Sequence, residues 1–233
     1  MSADRRAALA AGLEGVRTRI ADAARSADRD PADVTLVVVT KTFPASDVAL
    51  LADLGVRDVG ESRHPEAETK RRGAPYGLVW HFVGALQRNK ARAIARYADV
   101  VHSVDRDRLV EPLSRGAADE QRTVTCLVQV NLDPEPSTGR SGCAPDEIAD
   151  LAERIAAADH LELGGVMAIA PQGVDPEPVF GRLAGIAADL RRDHPGASIL
   201  SAGMSGDLEA AIRAGATHVR VGRAVLGARP SDG

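Results

Sequence analysis

Eight short runs of β-branched and other apolar residues recur along this chain, and a segment rich in Ala, Leu, Arg and Glu follows each of the first seven. The runs fall at 34–40 (VTLVVVT), 57–60 (RDVG), 79–84 (VWHFVG), 99–103 (DVVHS), 123–131 (TVTCLVQVN), 161–169 (LELGGVMAI), 197–201 (ASILS) and 217–222 (THVRVG). The helical segments span 46–54, 65–72, 87–97, 106–119, 145–158, 176–192 and 205–214. Parallel neighbours need a long crossover between them, so this alternation calls for a parallel sheet. Eight strands in 233 residues favour a closed barrel over an open doubly wound sheet. Residues 4–27 carry no proline and are rich in Ala, Leu, Arg and Asp, which predicts one further helix. The expected fold is α/β: a single (β/α)8 TIM-type barrel domain over 1–233 with an extra N-terminal helix. A polar loop over 132–144 follows the fifth strand.

The charge balance removes several functions. Lys and Arg total 29 against 33 Asp and Glu, a formal charge of −4, which disfavours a partner held by phosphate contacts such as a nucleic acid. Aromatic residues are 3% of the chain, too few for base-stacking platforms. No apolar stretch is long enough to span a bilayer, and the N-terminus has no uninterrupted apolar core of a signal peptide. Cys126 and Cys143 form no spaced cluster, so neither a disulfide framework nor a metal site is expected. A cytoplasmic protein is the simplest expectation.

In a barrel of this kind chemistry belongs at the C-terminal ends of the strands. Lys41 stands there, directly after the first run. A lysine at a dry strand end can lose its proton and attack an aldehyde as a neutral amine. A salt bridge to Glu61 or Asp105 is the simpler alternative. The last two strand ends carry Ser201-Ala202-Gly203-Met204-Ser205-Gly206 and Arg220-Val221-Gly222-Arg223. Loops at these positions often bind a phosphate group through backbone N–H groups. Ser205 could equally be a plain helix N-cap. Arg220, inside a β-branched run, is a permanent donor suited to a ring nitrogen or a carboxylate, or else half of a buried ion pair. His81 alternates with Trp80 and Phe82, a pattern usual for a core histidine. His102 and Asp105 suggest a catalytic pair, but no nucleophile motif accompanies them. Asn131 and Met167 complete the polar and adaptable groups at strand ends.

These residues together resemble the pyridoxal-phosphate homeostasis protein family, also called proline synthetase co-transcribed homologues. The matching segments are Val39-Thr40-Lys41-Thr42, Gly60-Glu61, Trp80-His81-Phe82-Val83-Gly84 with Leu86-Gln87 and Asn89-Lys90, and His102-Ser103-Val104-Asp105. They continue with Gln129-Val130-Asn131, Gly165-Val166-Met167, Gly203-Met204-Ser205 and Val219-Arg220-Val221-Gly222. The family is similar to the barrel half of alanine racemase. The resemblance implies pyridoxal 5′-phosphate held as a Schiff base on Lys41, its phosphate on Ser205 and the backbone around Gly222, and Arg220 at the pyridine nitrogen. Gly203, Met204, Arg223, Asn131, Met167 and His81 complete the cofactor-binding set that it implies. Ser62, Ala85 and Arg223 depart from the family pattern, whereas Arg63 stands where Tyr or Arg is common; an arginine at 223 can give the phosphate a charged contact where a hydroxyl is usual.

The implied role is a cofactor carrier that keeps vitamin B6 and amino-acid pools balanced, with no catalytic residue assigned. Its partners would be the cofactor and apo pyridoxal-phosphate enzymes, and its state a monomer or weak homodimer. A weak amino-acid racemase is the alternative. Against it stand the absence of a second domain from this chain and the positions of Tyr76 and Tyr97, which the pattern places away from strand C-terminal ends. A Schiff-base aldolase acting on a sugar phosphate would use the same lysine without the resemblance.

Overall fold

The structure, a computed structural model, describes residues 2–133 and 141–228. Eight strands form a closed barrel in sequence order: β1 (Thr35–Val39), β2 (Asp58–Glu61), β3 (Val79–Phe82), β4 (Val100–Val104), β5 (Val124–Gln129), β6 (Leu161–Met167), β7 (Ile199–Ser201) and β8 (His218–Val221). All neighbours are parallel, and β8 closes on β1 from Thr35 opposite His218 to Val38 opposite Val221. Around it lie α1 (Ser2–Ser26), α2 (Ala45–Asp53), α3 (Glu66–Gly73), α4 (Arg88–Ala95), α5 (Val110–Asp119), α6 (Ile148–Ala156), α7 (Pro176–Asp193), α8 (Leu208–Arg213) and α9 (Arg223–Leu226). The (β/α)8 reading therefore holds, including the extra N-terminal helix.

Alternation along each strand divides the core into two environments. Outward residues such as Val101, Cys126 and Val166 pack under the helices in an extensive apolar layer. Inward residues form a small apolar cluster of Val100, Leu127 and Met167, with Val79 and Ile199 against it. His81, His102, Ser201 and Arg220 are buried as well. Two full turns of parity along β3 and β4 put Val79 with His81, and Val100 with His102, on the inward side.

α1 does more than add length. Leu9, Leu13, Val16, Ile20 and Ala24 make one buried stripe at helical spacing. That stripe packs on α8 and α9. Gly12 allows the contact: a Cβ there would lie 2.5 Å from the Val225 carbonyl oxygen. Arg19 then donates to the Ser205 carbonyl oxygen at 2.9 Å and pairs with Glu209 at 2.7 Å. The extra helix thus backs the last two strand-end loops.

Ends differ from the sequence expectation by a few residues. The segment 106–119 begins with a 3-10 turn at Asp107–Leu109 before α5. The fifth strand stops at Gln129, and Val130 bridges separately to Cys143. Residues 134–140 of the expected polar loop lie outside the described residues. Gly12→Ala should lower stability by about 1–3 kcal/mol, the range for overpacking a filled contact, despite alanine's better helix propensity. Denaturant unfolding checks this; a stabilised variant would mean that α1 does not seat on α9 as described.

Candidate functional site

The chain reverses immediately after β1. The Thr40 amide still donates to the Gly60 carbonyl at 2.8 Å, and the Phe43 amide closes on the Thr40 carbonyl at 3.1 Å. Between them Thr42 takes a positive φ of 71°. A buried polar cluster holds this turn from outside the barrel. Lys70, 6% exposed, donates to the Thr40 carbonyl at 2.9 Å and to Glu61 Oε1 at 2.7 Å, and lies 2.8 Å from Glu66 Oε1. Thr40 Oγ1 donates to the same Glu61 oxygen at 2.6 Å, and Glu66 accepts from the Thr42 amide at 3.0 Å. Burial raises the Glu61 pKa against these hydrogen bonds from Lys70 and Thr40. Glu61 is thus engaged by Lys70, and Asp105 pairs with Arg106. The two acids weighed as partners for Lys41 both have other cations.

Lys41 lines a cavity of about 530 Å³, inside the ~300–1,000 Å³ typical of small-molecule sites. Its walls come from Val39 and Phe43, the loop after β6 (Ile169 to Val174), the loop after β7 (Met204 to Asp207) and the end of β8 (Arg220, Gly222, Arg223). The chain contains three lysines, Lys41, Lys70 and Lys90, and among them only Lys41 lines this cavity.

One end of the cavity is built to receive an anion. Gly203 adopts φ 88°, where a Cβ would also meet the Ala211 Cβ at 2.7 Å, so the loop needs glycine to turn under α8. The Asp207 carboxylate accepts from the Met204 amide at 2.6 Å and so closes a tight turn. α8 starts only at Leu208, so Ser205 is not its N-cap and the plain-cap reading fails. Among the described residues, the Ser205 hydroxyl and the Ser205 and Gly206 amides donate to no acceptor. Across the β1–β8 seam, a Cβ at Gly222 would sit 3.1 Å from the Val39 carbonyl oxygen, so the backbone there approaches the Lys41 strand closely. Arg223 is exposed at the same wall.

Arg220 is the sharpest feature. It is 5% exposed and lines the cavity. Its Nη1 donates to Ser201 Oγ at 2.6 Å and its Nη2 to the Ala168 carbonyl at 2.9 Å. Among the described residues no carboxylate forms an ion pair with it; burial lowers its pKa to about 10, and the more distant Asp207 opposes that shift. The buried ion pair weighed from sequence is absent. A buried cation with donors to spare at a cavity wall marks a functional site.

The remaining expected residues divide. Lys41, Met204, Ser205, Arg220, Gly222 and Arg223 line one cavity, and Gly203 shapes its loop. Asn131 lines a neighbouring recess of about 240 Å³ that shares Val83 and Ile169 with it. Met167 and His81 lie inside the barrel and line neither space. His102 is fully buried between His81 and Ser201 and makes no pair with Asp105. Neither tyrosine lines the cavity: Tyr76 is exposed, and Tyr97 is buried against the His64 ring. Sequence reasoning missed two parts of the site. Lys70 sat in a charge-rich helix that reads as a solvated face. The loop from Ile169 to Val174 was absorbed partly into a strand, although Pro171-Gln172-Gly173 signals a rim loop.

Lysine, open amides and buried arginine around one strand-end cavity define a barrel suited to a small, anionic, electrophilic ligand. The profile of the family described as "Alanine racemase, N-terminal domain" matches residues 13–230. This chain belongs to the pyridoxal phosphate homeostasis protein family. It is 41% identical to the Mycobacterium tuberculosis protein of that name over 244 residues, covering 97% of this chain and 95% of that protein. It is 42% identical to the Pseudomonas aeruginosa member over 231 residues, covering 95% and 96%. PipY of Synechococcus elongatus, solved with PLP bound, superposes with a TM-score of 0.81 at 31% identity, covering 94% of this chain and all of that one.

Lys70→Met should cost about 3–5 kcal/mol, because it strands the Glu61 carboxylate in the core. Lys70→Met combined with Glu61→Gln should recover much of that loss. Unfolding of the two variants by denaturant checks this. Equal stability of the single variant and the parent would mean that Lys70 does not hold the Lys41 turn.

Proposed function

We propose that this chain binds pyridoxal 5′-phosphate in the strand-end cavity and holds it for delivery, as its share in vitamin B6 and amino-acid homeostasis. The observation that carries the reading is Arg220: a buried cavity-wall guanidinium whose only described partners are neutral oxygens. The residues present fit this ligand. Ser205, the amides around Gly206 and Arg223 suit the phosphate, and Arg220, on the wall of the same cavity, suits the pyridine nitrogen. Lys41 is the one lysine placed to meet the aldehyde carbon, with which its amine forms a Schiff base. Met204 closes the cavity edge, Asn131 acts from the adjoining recess, and Met167 and His81 support the floor from within the barrel.

Holding rather than turnover follows from the donor at the ring. An arginine keeps its proton, so a nitrogen facing it stays unprotonated and the ring draws electrons weakly. No tyrosine stands at the cavity to supply a second base. Among the described residues no helix is long and apolar enough to cross a membrane. Both cysteines are free and buried, which suits a reducing cytoplasmic setting. The partners in this role are the cofactor itself and apo pyridoxal-phosphate enzymes, with the carrier a monomer or weak homodimer over a single domain.

Borohydride reduction of the chain mixed with pyridoxal phosphate should fix the ligand's mass on the peptide carrying Lys41. Lys41→Ala should abolish that adduct. An adduct retained on Lys70 or Lys90 would move the attachment point, and no adduct in the parent chain would overturn the cofactor reading. Incubating the loaded chain with L-alanine in deuterated water separates the carrier from a racemase: rapid α-deuteration with inversion would overturn the carrier role.

A further inference from the structure

A line of buried polar groups runs through the barrel from the cavity to its opposite face. Arg220 Nη1 meets Ser201 Oγ at 2.6 Å, and Ser201 Oγ meets His102 Nδ1 at 2.9 Å. His102 Nε2 meets His81 Nδ1 at 2.8 Å, and His81 Nε2 meets Asp58 Oδ1 at 3.0 Å. The groups come from β8, β7, β4, β3 and β2, so no local turn accounts for them. Asp58 is the first residue of β2, its side chain is 23% exposed, and it lines a depression on the N-terminal face. Burying four polar side chains in a row is costly unless each link is made. An apolar barrel interior would be simpler.

The two ends fix the direction of every link. Arginine can only donate, and an ionised carboxylate can only accept. With one proton per link and both rings taken as neutral, a single arrangement remains. Arg220 donates to Ser201, Ser201 donates to His102 Nδ1, His102 donates from Nε2 to His81 Nδ1, and His81 donates from Nε2 to Asp58. His218 is the other titratable group beside His81, with ring centroids 6.0 Å apart; burial is the largest cause that lowers its pKa to about 4, so it adds no competing charge. Burial likewise keeps His102 neutral.

We infer that Asp58, His81, His102 and Ser201 form a positioning relay: the carboxylate on the far face orders the tautomers of both histidines and thereby locks the Arg220 guanidinium toward the cavity. The relay fixes the ring end of the ligand, whereas the phosphate end is held by separate loops. His81 therefore acts on the site at a distance, which explains a residue that lines no cavity. The part of this inference that concerns the ligand rests on the cavity being a pyridoxal-phosphate site; the tautomers belong to the chain alone.

Nitrogen-15 NMR of histidine-labelled, ligand-free chain reads the relay directly. His81 and His102 should both appear as neutral Nε2–H tautomers. Asp58→Asn changes one partly exposed side chain and replaces a pure acceptor by an amide that can also donate. It should let an Nδ1–H population of His102 appear with the fold intact. An Nδ1–H His102 in the parent, or no tautomer change in Asp58→Asn, overturns the relay. Ser201→Ala, with its thermal midpoint recorded, should weaken pyridoxal phosphate binding by about tenfold, as expected for a lost hydrogen bond to a charged group. Inorganic phosphate binding, followed by calorimetry, should be unchanged. Equal losses for both ligands, or none for either, overturn the positioning role. A parent chain that shows the expected tautomers but binds no pyridoxal phosphate would refute the cofactor reading and leave the relay standing.

Discussion

β1 and β8 come from opposite ends of the barrel sequence, and their pairing from Thr35 with His218 to Val38 with Val221 closes the sheet. Closure carries a loop-entropy cost that only the burial of both sheet faces offsets. It removes the two exposed edges that an open sheet would keep. It also brings the Val39 carbonyl to within 3.1 Å of where a Gly222 side chain would begin, so the Lys41 turn and the Arg220 strand end share one wall. The loops after β6 and β7 complete the cavity because they follow β8 around the ring. α1 presses on the same sector through α8 and α9, which ties the N-terminal addition to the loops that face the ligand space.

Two cations are buried near that seam, and they are treated in opposite ways. Lys70 is surrounded by Glu61, Glu66 and the Thr40 carbonyl, so its charge is answered inside the protein. Such a cluster specifies one geometry more than it adds stability, since desolvation offsets much of the attraction. Its use here is to hold the Lys41 turn. Arg220 receives neutral oxygens from Ser201 and Ala168 and has no carboxylate in direct contact among the described residues. Its charge is left available toward the cavity. The contrast separates a cation paired inside the protein from one hydrogen-bonded to neutral oxygens at the cavity wall.

The architecture was legible because strand and helix periods alternate cleanly over the whole chain. That Lys41, Ser205 and Arg220 meet at one cavity was legible because each sits at a strand end of the same rim. The alternatives for these three could not be settled from sequence. An N-cap at Ser205 fails because α8 starts three residues later, behind a turn closed by Asp207. A salt bridge to Glu61 depends on which lysine reaches it, and Lys70 approaches from a helix with no distinguishing pattern. The pairing of His102 with His81 and Ser201 depends on three strands meeting inside the barrel. Parity marks each residue as inward, but no spacing in the chain says which inward residues touch. His81 was rightly seen as a core histidine, yet its partners give that core position a direction toward Arg220.

The same physics bears on what a bound cofactor would do in the proposed role. Racemisation is favoured by a strong electron sink, which a protonated ring nitrogen makes stronger, and it needs an acid–base group on each face of the reacting carbon. Arg220 is held as a donor by its own chemistry, and Ser201, His102 and His81 point their protons away from the cavity toward Asp58. No link in that line can return a proton to the ring without reversing all of them. With the cofactor bound as proposed, Arg220 would donate to the ring nitrogen and would not supply it with a proton. In that role Lys41 would be the attachment point, and another amine could displace it. In the proposed role, a weakly activated ring and a reversible tether in a cavity open at the strand-end rim would suit a carrier.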